Sequence, residues 1–175
     1  FSDYNNVVWV DVPQFKDYEE ERVGTSYVNV TEIKILQRAL KELNASWGEG
    51  NQPKEVGIIT FYGAQERRIR QMISRGDYPN LKIKIGTVDR FQGMEYPIVI
   101  ISMVRNNSFG NVGHARVPER VNVAMSRAQE LLILIGCGSL FCESAQRDAT
   151  KIYSNIRTTI AGQGGMTDVH RFLMD

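Results

Sequence analysis

The stretch Ile98-Val-Ile-Ile-Ser-Met-Val104 is apolar with almost no interruption. Continuous apolarity, rather than alternation, is typical of a strand that is buried on both faces of a parallel sheet. Similar runs lie outward in both directions and predict four more strands, at Val7 to Val12, Val56 to Phe61, Lys82 to Val88 and Leu131 to Gly136. Because helical patterns separate these runs, we predict an α/β fold with helices on both faces of the sheet.

The helical patterns have their own start and stop signals. Between the first two strands, apolar residues recur at helical spacing after Asn29, and Glu32 three residues later is typical of a capped helix start. Pro118 suits the first turn of a helix, because its missing N–H is not needed there. The remaining helices are predicted over about Ala64 to Ser74, with arginines at 67, 68, 70 and 75, and around Ile152, Ile156 and Ile160.

Composition and charge narrow the class of protein. A chain of 175 residues with 42% hydrophobic content fits one domain with a sizeable core. A net charge of +1 gives no bulk attraction to nucleic acid, so any such contact must be local. No apolar stretch approaches the roughly 20 residues needed to cross a bilayer, and the first residues lack a leader pattern. We therefore expect a cytoplasmic protein, or a nuclear one if its source is eukaryotic.

Two further features have simple expectations. Cys137 and Cys142 have neither a redox spacing nor a zinc-ligand pattern, so we expect reduced and largely buried thiols. The acidic stretch Asp17 to Glu21 is expected to be a solvated loop. His114 and His170 are isolated candidates for a stand-alone enzyme, and without a triad or metal spacing they favour surface or structural roles.

The segment Arg120-Val-Asn-Val-Ala-Met-Ser-Arg127-Ala128 concentrates charge beside an apolar stripe. Read as a helix, it places Arg120 and Arg127 on one face about 10 Å apart, while Val121 and Ala124 pack on the sheet. Two arginine forks held in this way would form a site for phosphate. The alternative is that both arginines pair with surface carboxylates, and the helix pattern alone leaves that open.

The segment Thr87-Val-Asp-Arg-Phe-Gln-Gly-Met-Glu95 follows a predicted strand. Gly93 allows close approach of the backbone to a ligand, and Glu95 is a suitable acceptor for a ribose hydroxyl. Thr87 and Asp89, at the strand end, could meet a phosphate backbone. The alternative is a plain connection with a glycine in its turn.

Together the two segments resemble motifs V and VI of superfamily 1 helicases. Motif V of the branch that contains the nonsense-mediated-decay RNA helicase, Val-Asp-x-Phe-Gln-Gly-x-Glu, matches Val88 to Glu95, and motif VI matches Arg120 to Ala128. The run from Val56 to Gln65 is similar to motif IV, although Phe61 stands where the family commonly has proline. Ser26, Asn29 and Glu32 fit the helix start of the second lobe in this family.

This resemblance implies a RecA-like parallel sheet, the fold of P-loop NTPases, in a lobe without a P-loop. It implies that ATP and Mg²⁺ are held mainly by a first lobe, because the sequence contains no Gly-x-x-x-x-Gly-Lys-Ser/Thr loop. Arg127 matches the arginine finger and Arg120 a supporting arginine. The remaining residues carried over are Gln92, Gly93 and Glu95 beside ATP, and Thr60, Tyr62, Thr87 and Asp89 along a single strand of RNA or DNA.

The resemblance also sets the expected organisation. We predict a second RecA-like lobe over residues 1–161, with its first part missing, followed by a tail or linker over 162–175. The predicted function is the second motor lobe of an ATP-dependent DNA or RNA helicase or translocase, inactive alone. Its partners would be a single strand and the first lobe, with no membrane. The alternative is a non-catalytic module that binds nucleic acid or protein.

Overall fold

The structure is a computed structural model that describes residues 6–48, 52–73, 77–143 and 147–173. Its main sheet has six parallel strands in the order β5-β4-β6-β7-β1-β8. The strands are β1 (Val7–Asp11), β4 (Lys54–Thr60), β5 (Leu81–Thr87), β6 (Tyr96–Ser102), β7 (Ala128–Gly136) and β8 (Met166–Asp168). A separate antiparallel hairpin is formed by β2 (Glu21–Val23) and β3 (Ser26–Val28). The five strands predicted from continuous apolarity are therefore confirmed, with ends shifted by a few residues.

Helices cover both faces of the sheet. One face packs against α1 (Val30–Trp47), α2 (Gly63–Met72) and the short α6 (His170–Leu173). The other is covered by α3 (Pro118–Met125), α4 (Gly138–Glu143) and α5 (Arg147–Gly162). The predicted RecA-like α/β fold is confirmed. Ser74 and Arg75, which we placed at the end of the second helix, lie outside the described residues.

The predicted cap of α1 is present, but only one of the two hydrogen bonds of a capping box forms. Asn29 Oδ1 accepts a hydrogen bond from the backbone N–H of Glu32 at 3.1 Å. The Glu32 carboxylate does not return to the Asn29 N–H, which instead donates to Gln65 Oε1 at 2.9 Å. Glu32 turns into the core and accepts from Ser102 Oγ at 2.6 Å. The helix start is thus tied to α2 and to the end of β6.

The sheet extends into the segment that we expected to be a tail or linker. β8 pairs with β1 from Trp9↔Met166 to Asp11↔Asp168, after a turn that includes Gly164 at φ 71°. Three residues are too few to create a hydrophobic period, so the sequence pattern does not reveal this strand. The division of the chain at residue 161 stays a prediction.

Candidate nucleotide and nucleic-acid site

The segment after β5 crosses one face of the sheet and joins its two edges. Val88–Phe91 forms a 3-10 turn, and Phe91 is completely buried. A Cβ on Gly57 would lie 2.9 Å from Phe91 Cε1, and one on Gly86 would lie 3.0 Å from Cε2, so the ring fills the space that two glycines leave. Thr87 is the last residue of β5 and therefore lies at the carboxyl edge of the sheet.

The far end of this segment lies at the opposite edge. Tyr96 begins β6, and the pairing of β6 with β4 places it six residues before the level of Thr87. Six residues of strand correspond to about 20 Å. Gln92 to Glu95 therefore approach the amino edge of the sheet, whereas Thr87 lies at its carboxyl edge.

Arg127 does not lie on the helix of Arg120, contrary to our prediction. α3 ends at Met125, and Ser126 follows as its C-cap with its N–H bonded to Asn122 O. The helix must end there because Ala128 already pairs with Tyr96 as the first residue of β7. Arg120 and Arg127 are therefore presented by different elements.

The Arg127 side chain joins the two candidate segments. Its Nε donates to Val123 O at 2.9 Å, and its Nη1 donates to Met94 O at 3.1 Å. Its Nη2 donates to Ser126 Oγ at 2.7 Å, and its backbone carbonyl accepts from Tyr96 N at 2.9 Å. All these acceptors are uncharged, and no carboxylate among the described residues forms an ion pair with Arg127. The guanidinium group is partly exposed, so an anion could reach it.

Arg120 has a different environment. Its Nη2 lies 3.0 Å from Asp89 Oδ2, and the two side chains are 35% and 65% exposed. The sequence left open whether Arg120 binds phosphate or pairs with a surface carboxylate. In the structure Arg120 pairs with the exposed carboxylate of Asp89. The contact also ties the start of α3 to the 3-10 turn after β5. An exposed pair of this kind contributes little to stability, so a stronger ligand can displace it.

The three residues expected beside ATP are exposed in the loop before β6. Glu95 accepts a hydrogen bond from Gln129 Nε2 at 3.2 Å. Gly93 has φ of 78°, a conformation that favours glycine. No described atom lies within 4 Å of the position that a Cβ on Gly93 would occupy. The loop with Gln92 therefore has open space in front of its backbone.

The four residues expected along a strand of nucleic acid differ in accessibility. Thr60 is fully buried, and its Oγ1 has no hydrogen-bond partner among the described residues. Tyr62 is 3% exposed, and its hydroxyl accepts from the backbone N–H of His114 at 3.2 Å. Thr87 is partly exposed and Asp89 is exposed. The structure thus offers Thr87 and Asp89 to a ligand, while Thr60 and Tyr62 are enclosed by the protein.

Glu66 anchors the 3-10 turn to α2, a contact that the sequence did not suggest. Its buried carboxylate accepts from Arg70 Nη2 at 2.9 Å and from Arg90 Nη1 at 3.0 Å. Arg70 Nη2 also contacts Ile85 O. Arg70 is therefore paired within the lobe, although its side chain is 46% exposed. Of the arginines described on α2, Arg67 and Arg68 are exposed and have no ion pair among the described residues.

A buried ion pair shapes the loop after β6. Arg105 Nε lies 2.8 Å from Glu20 Oε1, and their side chains are 6% and 5% exposed. The expectation that Asp17 to Glu21 is only a solvated loop is therefore wrong for Glu20. Val104 adopts φ of 72° while its N–H donates to both oxygens of Glu32 at 2.9 Å. No local pattern could reveal Arg105 as structural, because its partner is 85 residues away.

Within residues 6–48, 52–73, 77–143 and 147–173, no group of three or more His, Cys, Asp or Glu side chains is arranged to hold a metal ion. None of the helices described there combines the length and the apolar character needed to span a bilayer. Cys137 is buried and Cys142 partly buried, both as free thiols.

The parallel sheet with helices on both faces is a RecA-like α/β domain of the P-loop NTPase type. On this domain the Arg127 side chain joins the end of α3 to the loop before β6. The chain belongs to the family described as AAA domain, which matches residues 1–139. Among known proteins it resembles the superfamily 1 helicases of the nonsense-mediated-decay branch.

Individual relatives support that assignment. Regulator of nonsense transcripts 1 from Dictyostelium discoideum is 35% identical over 117 residues, 65% of this chain and 9% of the relative. Putative helicase MOV-10 from Gallus gallus is 35% identical over 135 residues, 67% of this chain and 14% of the relative. DNA polymerase alpha-associated DNA helicase A from Saccharomyces cerevisiae is 30% identical over 166 residues, 86% of this chain and 23% of the relative. The chain thus spans less than a quarter of each of these relatives.

Proposed function

We propose that this chain acts as the second motor lobe of an ATP-dependent superfamily 1 helicase or translocase, with Arg127 as its arginine finger. The observation that carries the proposal is the set of contacts around Arg127. Its guanidinium group is fixed by uncharged acceptors from the helix end and the loop before β6, yet no described carboxylate neutralises it. A fixed, uncompensated charge suits the stabilisation of charge that develops in a transition state.

The residues around Arg127 fit a bound nucleotide. In the proposal, Mg²⁺-ATP is held mainly by a first lobe and supplies the γ-phosphoryl group that is transferred to water. Arg127 donates hydrogen bonds to the γ-phosphate oxygens, a role that contributes roughly 10³ to 10⁵ in rate where such fingers are known. Gly93, with open space before its backbone, lets the loop approach the phosphates. Glu95 accepts from a ribose hydroxyl, and Gln92 contacts the nucleotide beside it.

Arg120 supports the same site by exchanging partners. In the proposal it leaves Asp89, to which it is bound at 3.0 Å, and turns toward the phosphates when the lobes close. The exposure of the pair keeps the cost of this exchange small. The released Asp89 then changes the charge near the carboxyl edge, where the single strand is proposed to lie.

The single strand would contact the carboxyl edge through Thr87, whose hydroxyl and neighbouring N–H groups suit a phosphate backbone. Asp89 lies beside it. Thr60 and Tyr62 support this edge from within, since both are buried. Because one continuous segment runs from Thr87 to Glu95 across the sheet, closure of the nucleotide edge would shift the strand-binding edge. This is how we propose that ATP hydrolysis drives stepping along RNA or DNA in the cytoplasm or nucleus.

The half-site arrangement is tested by ATPase assays on two proteins. The chain alone should hydrolyse no ATP and bind it feebly. A polypeptide that carries this chain together with a first lobe should hydrolyse ATP faster when a single strand is added. Turnover by the chain alone, abolished by a substitution within it, would contradict the proposal. Tight strand binding without any turnover in the two-lobe protein would support the alternative of a non-catalytic binding module.

A further inference from the structure

A groove of about 330 Å³ opens between the β2–β3 hairpin and α2. It contains none of the residues assigned to ATP or to the single strand. We call it the hairpin groove and define it by six of its lining residues, Glu21, Val23, Val28, Ala64, Arg67 and Arg68.

The regular spacing of two elements builds the walls of the hairpin groove. On α2 the lining residues recur at positions i, i+3, i+4 and i+7, the spacing of one helix face, at Ala64, Arg67, Arg68 and Gln71. In the hairpin, Glu21 pairs with Val28, and Val23 lies two residues after Glu21, so their side chains share one face. Ser26 Oγ accepts from the backbone N–H of Ala64 at 3.2 Å, which ties the two walls together.

The floor of the hairpin groove is apolar, and one wall includes an exposed valine. Val28 and Ala64 are 6% and 4% exposed, whereas Val23 is 47% exposed. Pockets for small ligands begin at about 300 Å³, so the groove has room for an apolar side chain of a partner. Such a side chain would cover Val23 and remove its apolar surface from water.

Positive charge lines the α2 side of the groove. Arg67 and Arg68 are exposed, and neither forms an ion pair with a described residue. The neighbouring Arg70 and Arg90 share one carboxylate, that of Glu66, so this flank of α2 keeps an excess of positive charge. The net charge of the whole chain is only +1, so the excess is local. An acidic ligand therefore complements this side of the groove.

The composition of the walls favours a protein over a nucleic acid as the acidic ligand. None of the described residues that line the groove is aromatic, so the groove offers no ring on which a base could stack. Glu21, on the hairpin wall, would repel a phosphate backbone, whereas a protein segment can place an uncharged residue opposite it. The apolar floor also suits an aliphatic side chain better than a phosphate or a sugar.

We propose that the hairpin groove binds an acidic segment of a partner protein. One aliphatic side chain of that segment packs on Val23 and Val28, and carboxylates beside it pair with Arg67 and Arg68. Arginine suits this role, because its planar fork binds a carboxylate with two hydrogen bonds. Since no residue assigned to ATP lies in the groove, docking there would leave the nucleotide site open.

Three labelled peptides of equal length separate the contributions of charge and apolar contact. Each has a Gly-Ser spacer at both ends, and the centre is Asp-Glu-Leu-Asp-Glu, Asp-Glu-Ser-Asp-Glu or Lys-Lys-Leu-Lys-Lys. We would measure their binding to the 175-residue chain by fluorescence anisotropy. The first peptide should bind about tenfold more tightly than the second, because its leucine is buried, and the third should not bind.

Substitutions assign the binding to the groove. Val23→Ser should remove most of the preference for leucine. Arg67→Ala/Arg68→Ala should weaken binding of both acidic peptides about tenfold, the size of a lost charged hydrogen bond. The matched control, Lys151→Ala/Arg171→Ala, removes two exposed cations from α5 and α6 and should change neither peptide's binding. Arg67→Glu/Arg68→Glu should bind the lysine peptide instead, a gain that misfolding cannot produce.

Docking at the hairpin groove is refuted if the acidic leucine peptide does not bind, or if Arg67→Ala/Arg68→Ala weakens its binding no more than the control does. Equal binding of the lysine peptide by the wild type would show nonspecific adsorption and refute it as well. If no peptide binds, and Arg67→Ala/Arg68→Ala weakens binding of a short oligothymidylate, the groove is a nucleic-acid surface instead. Each of these results leaves the proposed function standing, because ATP hydrolysis by the two-lobe polypeptide tests that function separately.

Discussion

The buried carboxyl group of Glu32 should make this domain less stable as the pH rises. Glu32 is inaccessible to solvent, and burial raises its pKa from an ordinary 4.5 to about 8, although hydrogen bonds from Ser102 and Val104 act in the opposite direction. The folded state therefore holds the proton more tightly than the unfolded state. The resulting stabilisation is complete below pH 4.5 and is lost as the pH rises through 8.

The linkage relation sets the size of the effect. A pKa of about 8 in the folded state and 4.5 in the unfolded state gives a loss of about 3 kcal/mol between pH 6 and pH 9. With a urea m-value of about 2 kcal/mol/M, the unfolding midpoint should fall by about 1.5 M. The assay is urea unfolding followed by tryptophan fluorescence, since Trp9 is fully buried.

Glu32→Gln is the matched control for this effect. Glutamine is neutral at every pH and nearly the same shape, so the variant should lack this part of the pH dependence. At pH 6 the variant should be about 2 kcal/mol more stable than the wild type, because Glu32 is protonated in the folded state but already ionised in the unfolded state; the two proteins should be equally stable only below about pH 4.5. If the wild type and Glu32→Gln lose stability equally between pH 6 and pH 9, Glu32 does not titrate as its buried position requires.

Two further substitutions test the segment that crosses the sheet. Gly57→Ala should lower the free energy of unfolding by about 1–3 kcal/mol, because its Cβ would lie 2.9 Å from Phe91 Cε1; an unchanged urea midpoint would contradict this packing. Thr87→Val should weaken binding of a single strand by the chain about three- to tenfold, the size of one lost hydrogen bond, with no change in stability. Binding by the wild type should be weak and fall steeply with salt, and salt-insensitive binding would refute a backbone track.

The sequence was sufficient to predict the sheet because burial on both faces requires continuous apolar runs. β4, β6 and β7 have such runs, and each was found within a few residues of its observed ends. Asn29 was also predictable, because a cap depends on neighbours three residues away. The short β8 was missed because its pairing with β1 joins segments more than 150 residues apart.

The candidate site was predictable in composition but not in arrangement. Arg127 was found through a motif, yet its position beyond the helix depends on where β7 must begin. Thr60 has the residue type of a phosphate contact, and only packing under α1 and α2 reveals that it is buried. Arg105 lacks a local signal because Glu20 lies far away in sequence. An ion pair between residues that are distant in sequence leaves no pattern in a short stretch of sequence.

The central claim is that Arg127 acts on the transition state of ATP hydrolysis. The direct test is steady-state ATPase with saturating single strand, in the polypeptide that carries this chain and a first lobe. Binding of ATP and of the strand is measured in parallel, with Arg38→Ala as the surface control. Arg127→Ala should reduce the hydrolysis rate about 10³-fold or more while both affinities change little. Arg127→Lys should restore little, because a point charge does not replace the planar fork. Hydrolysis near the wild-type rate in Arg127→Ala would contradict the claim.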